Sequence, residues 1–310
     1  MKKQILCILS IFCFSLVSFG QGVGASPEYV KALTAEWKGE RFPDGRPKVS
    51  DGILERLKNV SMEEAWAGLR NKGYLNQFEG DWTILDQESA MTGRVVTAQY
   101  MPLRPDLQNY VKEQGIRENR AQQGGTNSWP IDMLQEGDVY VADSYGKIVD
   151  GTLIGDNLGN SIYSKSKRGV IFYGSVRDME GLSAIDGFNA WVKGHDPSYI
   201  NQTMLTSINT PIRIGRAIVM PGDVVLAKKW GVIFFPAHLV EEVLINAEVT
   251  ALRDQFGHLR LKEGKYKPGE IDSQWSETIK TDFINWLNNY PGKLPMSKSE
   301  LDNYFKERNW

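Results

Sequence analysis

Residues 155–178, GDNLGNSIYSKSKRGVIFYGSVRD, read as a loop, a helix and a buried strand that ends in Arg177-Asp178. Gly155-Asp156-Asn157 opens the helix, because Asp or Asn at a helix start accepts hydrogen bonds from backbone N–H groups that lack an intrahelical partner. Gly169 is expected to stop it. The run Val170-Ile171-Phe172-Tyr173 is too short for a second helix and is rich in branched and aromatic side chains, which predicts a strand buried on both faces. Arg177 and Asp178 then fall at the carboxyl end of that strand, beside the amino end of the helix that begins at Gly155. In open α/β sheets this edge is where ligands bind.

Two carboxylates at that edge, Asp156 and Asp178, repel one another, and a divalent cation is the simplest remedy. Arg177 points to an anion, since a planar guanidinium matches a carboxylate through two parallel hydrogen bonds. Free N–H groups at Gly155, Asp156, Asn157 and Leu158 can hold a second oxygen of the same ligand. The first functional reading is therefore a cation with a small carboxylate. The same residues also suit a plainer role, with Asp156 as a helix cap and Arg177-Asp178 as a surface ion pair.

Composition narrows the choice of cation. The two cysteines, Cys7 and Cys13, both lie in the amino-terminal segment, and there are three histidines, His195, His238 and His258. A zinc site rich in Cys or His is disfavoured, and oxygen-ligated Mg2+ or Mn2+ remains. Met1 to Gly20 has Lys2 and Lys3, an apolar run from Ile5 to Phe19 and small residues at its exit, which reads as a secretory signal peptide cleaved near Gly20-Gln21. An uncleaved anchor is the alternative; with cleavage, no stable membrane anchor remains and the protein is expected to be periplasmic or secreted. The chain has 36 basic and 38 acidic side chains; removing Lys2 and Lys3 leaves a formal charge of −4. No basic run with interleaved aromatics stands out, so nucleic acid is not an expected partner.

Along the rest of the chain, Pro27 to Trp37 and the segment opened by Ser61 read as helices, the second with a Ser61/Glu64 capping box. Strands are expected at Gly93–Tyr100, Val139–Ala142, Arg216–Met220, Asp223–Ala227 and Gly231–Phe235. Arg117 to Gly125 reads as a loop over a site, and Met179 to Pro197 as a loop whose Trp191 and His195 either pack or touch substrate. Ala237 to Arg253 has apolar residues on one helical face. In the tail, Phe283, Trp286 and Leu287 suggest one amphipathic helix.

The motif resembles that of the RraA-like family, which includes the 4-hydroxy-4-methyl-2-oxoglutarate aldolases, related oxaloacetate decarboxylases and a regulator of ribonuclease activity. The family pattern is Gly-Asp/Glu-x-Leu, a helix, then Gly-x-x-Gly-Val-Val-x-x-Gly-x-Val-Arg-Asp. Here it stands as Gly155-Asp156-Asn157-Leu158 and as Gly169-Val170-Ile171-Phe172-Tyr173-Gly174-Ser175-Val176-Arg177-Asp178, with Ser166 in place of the first glycine of the second part. Twenty residues separate Asp156 from Arg177, the spacing of the metal-dependent members. Gly137-Asp138-Val139, Asp143, Gly93, Thr97 and Pro221-Gly222-Asp223 extend the likeness over about residues 50 to 254.

The resemblance implies an α/β fold layered α/β/β/α, of the swivelling type. On this reading residues 1–20 are the signal, 21–50 an extension, 51–254 the RraA-like domain and 255–310 a helical extension. It implies a homo-oligomer, trimer or hexamer, with Mg2+ or Mn2+ held by Asp178 and Asp156 and an acid from a neighbouring subunit, for which Asp254 is the candidate, with Glu248 behind it. A 2-oxo acid would be held by Arg177 and Gly155 to Leu158 and cleaved through a pyruvate enolate, by retro-aldol reaction or by decarboxylation of oxaloacetate. Two other readings stand beside it: a non-catalytic interaction module, and an exported lyase for sugar-derived acids.

Overall fold

A computed structural model describes residues 22–307. The expected signal segment, both cysteines and Trp310 lie outside the described residues. Eleven strands are present among them: β1 Phe78–Glu79, β2 Thr83–Ile84, β3 Met91–Pro102, β4 Asp138–Asp143, β5 Val170–Val176, β6 Ala190–His195, β7 Thr203–Ile208, β8 Ile212–Ile214, β9 Ala217–Val219, β10 Val224–Lys228 and β11 Gly231–Phe235. The helices are α1 Pro27–Leu33, α2 Asp51–Leu57, α3 Met62–Arg70, α4 Pro105–Arg117, α5 Trp129–Asp132, α6 Asp156–Ser166, α7 Met179–Ser183, α8 Val240–Lys262, α9 Pro268–Ile271, α10 Glu277–Asn288 and α11 Lys298–Glu307.

Nine strands form one mixed sheet in the order β1-β11-β10-β3-β4-β5-β6-β2, with β7 also paired to β3. Its centre, β3 to β6, is parallel, and β10 and β11 are antiparallel. Side chains alternate across each strand, and that period of two builds three apolar layers. Val139, Val141, Ile171 and Trp191 on one half of the sheet share a core with Val225, Ala227, Val232 and Phe234 on the other half and with the β8–β9 hairpin. The opposite faces are covered separately. Tyr140, Ala142, Val170 and Phe172 pack under Ile162 and Leu182 of α6 and α7, whereas Val224, Leu226, Ile233 and Phe235 pack under α2, α3 and α8. This is the expected helix, sheet, sheet, helix layering.

Several local signals act as read. Ser61 and Glu64 close the capping box of α3, and β5 is buried along nearly its whole length. Other details differ. The helix α6 ends at Ser166, with Lys167 in the left-handed conformation as its cap; Gly169 serves instead where a Cβ would collide with the Asn189 carbonyl of the neighbouring strand. The stretch expected as a loop, 179–197, contains α7 and the sheet strand β6. Trp191 is wholly buried on that strand and donates its indole N–H to the Lys228 carbonyl at 3.0 Å, so it is a core residue.

The described segments before and after the central domain are both tied to it. Arg46, fully buried, makes a bidentate ion pair with the fully buried Asp138 at 3.0 and 2.9 Å and a further bond to Asp44 at 2.7 Å. The boundary expected at 254 falls inside α8, which continues to Lys262. The carboxyl half of α8 carries a separate aromatic core with α9 to α11, in which Phe256, Trp275, Phe283 and Leu287 are buried. No described helix is long and apolar enough to cross a membrane.

Candidate active site

The site is built by one long-range pairing. Residues 152–154, just ahead of α6, run alongside the carboxyl end of β5: Leu153 N–H donates to the Ser175 carbonyl at 2.9 Å, and Arg177 N–H to the Ile154 carbonyl at 3.0 Å. This adds a short parallel strand to β5 and delivers the amino end of α6 to Arg177 and Asp178. Gly155 caps α6 in an extended conformation, without a side-chain bond.

Close packing then fixes where the carboxylates lie. A Cβ at Gly155 would fall on Asp178 Oδ2 and 3.2 Å from Arg177 Nε. A Cβ at Gly181, in the first turn of α7, would meet Asp156 Oδ2 at 2.8 Å. Each carboxylate thus rests on the backbone of the other's helix, and both occupy the crevice between the amino ends of α6 and α7. Asp178 is the residue before α7 and sits at φ 56°, in the left-handed region that Asp tolerates better than most side chains.

Arg177 and Asp178 are about two-fifths exposed, and Arg177 Nε lies 3.7 Å from Asp178 Oδ2, too long for a hydrogen bond. The guanidinium donates to no other atom among the described residues. In the first turn of α6, Asn157 N–H is taken by Asp156 Oδ1 at 2.7 Å, so of the four expected N–H donors this one is engaged within the helix. Those of Gly155, Asp156 and Leu158 donate to no atom among the described residues, as is usual at a helix start. A cleft of about 80 Å³ adjoins them, lined by Gly155, Asn157, Leu158 and Arg177 together with Asn127, Thr152, Tyr199 and Ile200. The last four were not singled out by sequence. Asn127 donates to the Leu153 carbonyl at 2.7 Å; it lies just past the stretch 117–125 expected as a loop over a site, and no residue of that stretch lines the cleft, while Tyr199 and Ile200 carry no local signal.

Asp254 does not join the crevice within one chain. It lies exposed on α8, and among the described residues no three His, Cys, Asp or Glu side chains gather as a metal site. Glu248, one and a half turns earlier, is buried and paired to Arg56 at 2.9 and 2.6 Å, which commits it to holding α8 against α2. The donor set that one chain offers a cation is thus Asp156 and Asp178. Two hard carboxylates beside open solvent fit Mg2+ or Mn2+, which keep several waters and need only one or two carboxylates from protein.

Known proteins resemble this chain over its central part. A family profile described as "RraA-like: Aldolase/RraA" matches residues 47–234. Protein DlpA of Legionella pneumophila is 24% identical over 200 residues, 64% of this chain. A protein of Ectopseudomonas mendocina, provisionally named a 4-hydroxy-4-methyl-2-oxoglutarate aldolase, is 27% identical over 109 residues, 35% of this chain. The chain spans 28% and 66% of the lengths of these two relatives. Among solved structures, Streptomyces coelicolor RraAS2, described as an unusual member of the RNase ES inhibitor RraA protein family, superposes with a TM-score of 0.59 at 25% identity, over 69% of this chain and 100% of that one. The matched span contains the paired crevice and nearly all of the large sheet, while α8 follows it, and the chain belongs to the RraA-like family.

Proposed function

We propose that the protein is a divalent-metal-dependent C–C lyase acting on 2-oxo acids, by retro-aldol cleavage of 4-hydroxy-2-oxo acids, oxaloacetate decarboxylation or both. Family membership and the aldolase name of one relative support, at the coarser level, a lyase or an RraA-like regulator. The observation that carries the finer reading is the set of unused donors at Arg177 and the α6 amino end, facing two carboxylates across one crevice.

Asp178 and Asp156 would hold the cation. Mg2+ or Mn2+, when bound, supplies Lewis acidity at the oxygens of the substrate. Arg177 then grips the substrate carboxylate through two parallel bonds, and the N–H groups of Gly155 and Leu158 orient its second oxygen. In a 4-hydroxy-2-oxo acid held this way, the 4-hydroxyl loses its proton, the C3–C4 bond breaks, and its electron pair moves toward the C2 oxygen to leave the enolate of pyruvate. Protonation at C3 completes the turnover. Asp156 Oδ2, the oxygen not engaged by its own helix, would hold a water at the crevice mouth, and that water carries the proton to and from the substrate.

The cleft beside Arg177 is small, and both carboxylates are open to solvent, which supports a homo-oligomer, trimer or hexamer, in which a neighbour closes the site and Asp254 approaches it. Export to the periplasm or beyond, drawn from the amino-terminal segment, belongs to the same proposal and is checked by fractionation. The test of function is a screen of oxo acids with Mg2+ or Mn2+, followed by pyruvate release. Turnover that survives a chelator counts against metal dependence. The second reading, a non-catalytic interaction module, is favoured by the likeness to RraAS2; binding of a protein partner without any need for cation would select it.

A further inference from the structure

A second cavity, of about 510 Å³, shares no lining residue with the cleft at Arg177. Its volume lies in the range of small-molecule sites. Two of its walls come from outside the matched span 47–234: Leu33 to Trp37 precede it, and Pro236 to His238 follow it. The cavity therefore depends on segments that lie beyond the family match.

Its charged lining is two carboxyls against one guanidinium. At the floor stands Asp223, 4% exposed, whose Oδ2 accepts the Met220 N–H at 2.8 Å. Among the described residues no Lys, Arg or His nitrogen pairs with it. The one guanidinium that lines the cavity, Arg216, donates Nε to the Phe78 carbonyl at 2.8 Å and lies over the Phe78 ring. Glu36 adds a second acid at the rim. Burial lowers the pKa of His238, which keeps its ring neutral at ordinary pH. That ring stands edge-on to Tyr74, with centroids 6.4 Å apart. Trp37, Tyr74 and Ile218 supply apolar and aromatic wall.

A buried carboxyl without a counter-ion, under aromatic walls, is complementary to a cation with an apolar body. We propose that this cavity binds a small organic amine, its ammonium on the Asp223 carboxylate and its body between Trp37, Tyr74 and Ile218. Burial pushes the Asp223 carboxyl up to about 8, and an ammonium at the floor would favour its ionised form. A neutral polyol would satisfy the carboxyl through hydrogen bonds but would leave the aromatic walls without a charged partner.

The experiment is calorimetric titration of the full-length protein with 2-phenylethylamine and with 2-phenylethanol, which has the same shape and no charge. The amine is expected to bind saturably and about tenfold or more tighter than the alcohol. Asp223→Asn keeps an oxygen for the Met220 N–H and should abolish the preference; Trp37→Ala should weaken both ligands. Equal affinity for the two, a preference that survives in Asp223→Asn, or no saturable binding of the amine by the folded protein each overturns the proposal. Because the Trp37 indole bonds to the Glu40 carbonyl and not to the turn at Asp223, its variant and the alcohol comparison decide the matter even if Asp223→Asn fails to fold.

Discussion

The Cα of Gly155 lies directly beneath the carboxylate of Asp178, so close that a methyl group on one would displace the other. Gly155→Ala is therefore expected to push the Asp178 carboxylate off the α6 amino end and to disturb Arg177 with it. The carboxylate is partly exposed and free to swing into solvent, so the fold should lose no more than about 1 kcal/mol. The proposed turnover, which needs both groups placed to within a fraction of an ångström, should fall about a hundredfold or more. Parallel measurement of melting temperature and pyruvate release separates the two effects; a variant with unchanged rate would remove Gly155 from the site.

Asp178 offers a sharper test of the cation. Its left-handed backbone is tolerated by Asn but costs Ala about 1 kcal/mol or more, so Asp178→Asn isolates charge from conformation. Stability should stay near that of the parent. Stimulation by Mg2+ or Mn2+ should vanish, and a chelator should reduce the parent to the level of the variant. Metal-stimulated turnover in Asp178→Asn would show that this carboxylate does not hold the ion.

What could be read from the sequence was local, and what could not depended on pairing. Val170 to Tyr173 announced β5 through its branched and aromatic run, and Ser61 with Glu64 announced α3 through two residues three apart. The meeting of Arg177-Asp178 with the helix at Gly155 followed from strand and helix polarity. The segment 152–154 that enforces this meeting is too short for any period, and its bonds go to Ser175 and Arg177, more than twenty residues away. The strand β6 was hidden because Asn189-Ala190-Trp191-Val192-Lys193 has no clear alternation, its Trp191 being swallowed by the core between the two halves of the sheet. Arg46 sits in a polar stretch, RFPDGRPK, where nothing nearby marks one arginine as buried.

That arginine carries its own prediction. Arg46→Met would leave Asp138, wholly buried, with the Gln135 N–H at 2.9 Å and Arg94 Nε at 3.8 Å as its remaining polar partners. Breaking one partner of a buried pair typically costs 3–5 kcal/mol, about a third of the stability of an ordinary domain. Urea unfolding should register this as a lower midpoint with an unchanged slope. Adding Asp138→Leu to Arg46→Met should recover part of the loss, since the uncompensated charge is then gone. A cost below about 1 kcal/mol for Arg46→Met would mean that the segment ahead of α2 is not integral to the domain.

Asp223 sets a pH dependence of defined sign. Burial drives its carboxyl up to about 8 from an ordinary 3.8, against the lowering effect of the Met220 N–H. The folded chain thus holds this proton more tightly than the unfolded chain does, and between those two values folding stability falls as pH rises. Asp223→Asn removes this group's share of the slope and leaves every other titration in place. The stability of the variant relative to the parent should therefore climb steadily from about pH 5 to about pH 8, by an amount on the order of a few kcal/mol. Denaturant titrations at several pH values in that window measure the difference directly. A constant offset between the two proteins would mean that Asp223 is ionised throughout, in which case its charge must already be met by water or by relaxation of the turn at Pro221-Gly222.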